Sequence, residues 1–118
     1  VFRMYEERLR TANALDFDDL LIKTVRLLRK SPEVREKYNQ RYRYILVDEY
    51  QDTNPLQLSL IRYLTEAQQN ICVVGDDAQS IYGFRQADIR NILEFEQHYS
   101  EAKVILLEQN YRSTQNIL

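Results

Sequence analysis

A chain of 118 residues, 44% apolar and 29% charged, can build one core, which excludes a multidomain protein and leaves one domain or part of one. Its net charge of −2 excludes a uniformly basic nucleic-acid binder, and no run is long enough to cross a membrane. The single cysteine, Cys72, excludes an internal disulfide and points to a reducing cytoplasm, and no charged-then-apolar leader opens the chain.

The charge is uneven. Residues 1–47 hold 11 Lys and Arg against 7 acids, whereas residues 48–118 hold 5 against 11. The acidic half suits a divalent cation.

In chain order, residues 1–13 read as a helix. Asp16 is placed to cap a second helix to about Lys30, with Phe17, Leu20, Leu21, Val25 and Leu28 on one stripe. Ser31-Pro32 caps and starts a short third helix, since proline suits a first turn. Apolar runs of strand length follow at Tyr44–Val47, Ile71–Val74 and Val104–Leu107. Between the first two, Asn54-Pro55-Leu56-Gln57 supplies a cap, a first-turn proline and a glutamine at the third helical position, leading a helix to about Glu66. Between the second and third, Asp88 caps a helix through Ile89, Ile92, Leu93 and Glu96. Continuous apolar strands alternating with helices predict an α/β fold, a parallel sheet flanked by helices.

Such sheets bind ligands beyond the carboxyl ends of their strands. Each predicted strand ends in polar residues: Asp48-Glu49, then Gly75-Asp76-Asp77-Ala78-Gln79, then Glu108-Gln109-Asn110. In "YILVDEYQDTN" the apolar run stops against Asp48 and Glu49, with Asp52 close behind. A bound cation, with the phosphate it accompanies, would offset these acids. An isolated Asp-Glu pair needs no such partner and reads as solvated charge at a strand end.

The longer stretches are far more specific. "VDEYQDTN" resembles the Asp-Glu box of UvrD/Rep/PcrA-type superfamily 1 DNA helicases. "VVGDDAQSIYGFRQADIRNI" resembles the next motif of that family, "LLEQNYRST" the one after, and "LDFDDLL" a segment ahead of the box. The resemblance spans Leu15 to Thr114, with the motifs in family order. It implies a partial RecA-like P-loop NTPase domain. Residues 1–107 would be the latter part of the first motor domain, and 108–118 the junction into the second. The parent would be an ATP-driven helicase that moves on single-stranded DNA and unwinds duplex DNA, with DNA repair among its settings. ATP and Mg²⁺ would be its cofactors, and DNA and the remainder of the helicase chain its partners.

The resemblance also implies roles that suit the residue chemistry. Asp48 would hold Mg²⁺, which prefers carboxylate and phosphate oxygens and keeps several waters. Glu49 would orient and deprotonate the attacking water. Gln79 would sense the γ-phosphate, and Arg112 would be the arginine finger. Tyr111 would stack on the nucleotide base. Tyr82 and Phe84 would be stacking platforms for single-stranded bases, with Arg85 on a phosphate. Core packing accounts equally well for Tyr82. Phe84 stands where the family usually has an aromatic, often Trp. Gln86 departs from the family's usual Gly, adding a side chain at the local turn that DNA would approach closely. Capping and core burial account for Asp16, Phe17 and Asp19 without a functional role. Cys72 reads as buried and structural, His98 as structural, and Arg41 and Arg43 as a solvated edge.

A P-loop is missing: neither Gly75 nor Gly83 begins a phosphate cradle. In the family that loop lies upstream, so this chain is expected to be a fragment that does not hydrolyse ATP alone. Its truncated sheet would leave a strand edge open to self-association. The alternative is a catalytically inert helicase-like module used for protein or DNA interaction. Retention of Asp48, Glu49, Gln79 and Arg112 argues against it. A nuclease would need more metal-binding acids than Asp76 and Asp77 add.

Overall fold

The computed structural model describes residues 1–76, 95–111 and 113–114. In chain order these form α1 (Phe2–Thr11), α2 (Phe17–Lys30), α3 (Pro32–Arg41), β1 (Ile45–Val47), a 3-10 turn (Tyr50–Asp52), α4 (Pro55–Thr65), β2 (Ile71–Val73) and α5 (Phe95–His98). The class is α/β: helices with a small parallel sheet, β1 beside β2. The helix expected from Asp88 lies mostly outside the described residues, and α5 falls at its end.

Helix α2 begins where its sequence says it should. Asp16 accepts the Asp19 N–H at 2.8 Å, while the Tyr5 hydroxyl of α1 donates to its other oxygen at 2.8 Å. Asp18 and Asp19 occupy the first turn and Arg29 and Lys30 the last, each sign facing the complementary end of the helix dipole. Asp19 is buried and paired with Lys23 at 2.7 Å. The apolar stripe is only partly covered. Val25 and Leu28 are buried, and α2 packs on α3 and α4, but Leu20 is exposed and Phe17 is 91% exposed. Core burial therefore does not account for Phe17. Helix α1 buries no residue.

Pro32 takes the first-turn position of α3 as expected. Ser31 stands at the cap, yet its side chain makes no capping bond; its carbonyl accepts from Val34 and Arg35 instead. The anchor of α3 is Asn39, a buried amide. It donates to the carbonyls of Arg35 (2.9 Å) and Tyr63 (2.7 Å) and accepts from Ala67 N–H (3.0 Å), closing α3 onto the end of α4. Helix α4 opens with a full capping box: Asn54 Oδ1 accepts from Leu56 and Gln57 N–H, and Gln57 Oε1 accepts from Asn54 N–H.

The strands pair in the register Ile45 with Ile71, Leu46 with Cys72 and Val47 with Val73. Their hydrogen bonding extends past the formal ends, through Ile45 N–H to Asn70 O (3.0 Å) and Val74 N–H to Val47 O (2.8 Å). One face is bare: Leu46 and Cys72 are exposed, so Cys72 is not a buried thiol. The alternation of a strand turns these two side chains away from the packed face. Arg41 and Arg43 are exposed, as a solvated edge requires. The third run, Val104–Leu107, is not a strand. It is irregular and exposed, up to 83% at Leu107. Among the described residues no strand offers it a ladder, and an apolar run becomes a strand only when its N–H and C=O groups find partners.

The Asp19 N–H foremost, and then the Tyr5 hydroxyl, hold the Asp16 carboxyl below the usual carboxylate range. A lowered folded-state value means stability that is present above the ordinary carboxylate pKa and lost as pH falls through the folded one. Asp16→Asn keeps a capping oxygen but cannot titrate. Urea unfolding from neutral pH down to about pH 3 should show the wild type losing stability more steeply than Asp16→Asn. Parallel acid limbs would remove Asp16 from the acid response.

Candidate functional site

Strand β1 stops at Val47, and the chain turns through Asp48 into Glu49, which sits in the left-handed region at φ 50°, ψ 43°. That conformation costs a residue with a Cβ about 1–2 kcal/mol. Asn13, also at positive φ, follows the end of a helix, where an asparagine is at ease. Glutamate has no such excuse. The turn is held by its own bonds. Glu49 N–H donates to Asp48 Oδ1 (2.9 Å), Asp52 N–H to Glu49 O (2.9 Å), and Thr53 Oγ1 to Tyr50 O (2.7 Å). Tyr50 N–H reaches across to Val74 O at 2.9 Å. Asp48 and Glu49 thereby stand, both exposed, at the carboxyl end of β1 and beside the chain leaving β2.

Two buried side chains fix this arrangement from below. Gln51 is 1% exposed. Its Nε2 donates to Glu49 Oε2 at 2.6 Å, and its Oε1 accepts from Asp76 N–H at 3.1 Å. One amide thus joins the acid after β1 to the backbone after β2. Tyr50, 2% exposed, sets its ring edge-on to Phe95 at 5.6 Å and 83°. Phe95 lies 4.7 Å from Tyr99, whose hydroxyl is 2.9 Å from Thr65 Oγ1 of α4. Burial, and next the neighbouring Tyr99, push the Tyr50 phenol above its usual range. His98, in the same helix as Phe95, meets the Arg62 side chain of α4.

Among the described residues no cation pairs with Asp48 or Glu49, the ion pairs being Lys23–Asp19 and Arg35–Glu66. Asp52 Oδ1 is buried without a hydrogen-bond partner among the described residues. Among the described residues no cluster of three or more His, Cys, Asp or Glu could hold a metal.

Of the residues singled out from sequence, Asp48 and Glu49 are brought together with the Asp76 backbone. Tyr111 is 86% exposed and donates to Gln109 at 3.0 Å. Gln79, Tyr82, Phe84, Arg85, Gln86 and Arg112 lie outside the described residues. Sequence reasoning missed Gln51 and Tyr50. The available signal was an amide and an aromatic placed between acids at a strand end. Among the described residues no helix is long and apolar enough to cross a membrane.

The family model for the UvrD/REP helicase N-terminal domain matches residues 1–100. ATP-dependent DNA helicase PcrA of Staphylococcus epidermidis is 55% identical over 118 residues, all of this chain and 16% of that protein. The protein of the same name from Staphylococcus aureus is 54% identical over the same 118 residues, again 16% of its length. The chain therefore spans about a sixth of the length of these relatives.

Tyr50 has the packing of a core residue although it adjoins exposed acids. Tyr50→Ala should cost about 3–5 kcal/mol, as other buried aromatic truncations do. Denaturant unfolding checks it, with Tyr111→Ala as the exposed control. Equal losses in the two variants would contradict the aromatic cluster.

Proposed function

The chain belongs to the UvrD/REP helicase N-terminal domain family, and on that premise we propose that it is part of an ATP-driven DNA helicase that moves on single strands and unwinds duplex DNA. Residues 1–107 form the latter part of a RecA-like first motor domain in this reading, and 108–118 lead into the second. One observation carries the proposal. Adjacent acids, exposed and without cation partners among the described residues, stand at the carboxyl end of one parallel strand beside the end of another. That is where α/β sheets bind nucleotides.

The donor set fits magnesium better than a protein-caged metal. Mg²⁺ takes one or two carboxylates together with phosphate oxygens and waters. Asp48 commits Oδ1 to Glu49 N–H, and its Oδ2 has no hydrogen-bond partner among the described residues. A bound magnesium ion would neutralise charge on the phosphates. Glu49 is the general base; it is exposed, and Gln51 Nε2 donates to its carboxylate. Gln79 reports on the γ-phosphate, Arg112 meets the charge that develops on it, and Tyr111 stacks on the base. Tyr82, Phe84 and Arg85 contact the single strand.

Glu49→Gln in the full-length protein should leave Mg·ATP binding nearly intact and lower DNA-stimulated turnover by about 10²–10⁴-fold, the usual contribution of a general base. Unchanged turnover would assign the base elsewhere. Arg112→Lys should fall in kcat by about 10³-fold or more with little loss of affinity for a non-hydrolysable ATP analogue, because an ammonium lacks the planar fork. A normal kcat would exclude Arg112 as the finger.

A further inference from the structure

We infer that Gln51 is the positioning residue of the Glu49 carboxylate and couples it to the backbone that follows β2. The inference rests on the helicase ATPase reading, since it gives Glu49 a water to activate.

Glu49 needs an external constraint. It is exposed, it sits at the start of a 3-10 turn with positive φ, and its side chain has several rotatable bonds. Among the described residues, the one hydrogen bond to its carboxylate comes from Gln51 Nε2, at 2.6 Å to Oε2. That leaves Oε1 to receive a proton. Gln51 is itself 1% exposed, so its rotamer is already fixed by packing and it can hold Glu49 at little further entropic cost.

The amide's orientation is forced by its partners. A backbone N–H, that of Asp76, can be met only by Oε1 (3.1 Å), which leaves Nε2 as the group that faces the carboxylate. A carboxylate in place of this amide could accept from Asp76 but could not donate to Glu49. An apolar residue could do neither. The same side chain therefore senses the position of the chain at Asp76 and sets the aim of Glu49. A shift of that backbone moves Oε1, and Nε2 moves with it. Misaiming a base by about 1 Å can lower rate by about 10²-fold.

Two substitutions separate the two halves of this role in the full-length protein. Gln51→Met keeps the volume and removes both hydrogen bonds. Gln51→Glu keeps an acceptor for Asp76 N–H and replaces the neutral amide donor with a second carboxyl, which repels the Glu49 carboxylate or shares one proton with it, so that Glu49 is no longer a free, aimed base. Both should lower single-turnover ATP hydrolysis by about 10²-fold while affinity for a non-hydrolysable ATP analogue stays at the wild-type value. Amide exchange over Gly75–Asp76 should quicken in Gln51→Met and stay protected in Gln51→Glu. If Gln51→Met does not fold, Gln51→Glu carries the test. Wild-type hydrolysis in the folded variants, or weakened nucleotide affinity that accounts for the whole loss, would overturn the inference. So would unchanged exchange at Asp76 in a folded Gln51→Met. Glu49→Gln is assayed alongside. If it is inactive while the Gln51 variants are not, this inference alone fails; if it is fully active, the hydrolytic reading fails and takes the inference with it.

Discussion

The parallel pairing of β1 with β2, in register from Ile45–Ile71 to Val47–Val73, sets where every polar group of the site can stand. Parallel strands end on the same edge, so the residues that leave β1 and β2 emerge side by side. The bonds from Val74 N–H to Val47 O and from Tyr50 N–H to Val74 O carry that alignment two steps further, into the turn itself. Without it Asp48 and Glu49 would be a pair of solvated acids. With it they share an edge with the Asp76 backbone.

Among the described residues, the donor that holds Glu49 at that edge is a buried amide rather than a cation. A buried cation would carry a desolvation penalty of several kcal/mol and would compete with any metal for the same carboxylates. A buried amide is neutral and satisfies one donor and one acceptor at once. Gln51 does this between the strand ends, and Asn39 does it between α3 and the end of α4. Both are nearly inaccessible, so their hydrogen bonds are hard for water to replace. The tie between the site and the helical layer is instead aromatic, from Tyr50 through Phe95 and Tyr99 to Thr65. The acidic turn is thus tied to buried side chains beneath and exposed above.

What could be read from the chain alone was whatever is decided within a few residues. The Asn54 box closes inside one helical turn, and Asp16 caps α2 from three residues away, so both were legible and both formed. The strands at Ile45–Val47 and Ile71–Val73 were legible from their apolar runs, and the acids at the first strand's end from the abrupt change of polarity. Family motifs pointed to Asp48 and Glu49 because their order along the chain is itself information. Tertiary structure decided the rest. Val104–Leu107 has the composition of a strand but no ladder, and Phe17 lies on the apolar stripe of α2 but meets no cover. Gln51 looked like an ordinary polar residue because its second partner, Asp76 N–H, is 25 residues away in sequence. Local patterns report which groups a residue carries; only the folded chain determines which other groups come within hydrogen-bonding distance, because that depends on a strand register no short segment contains.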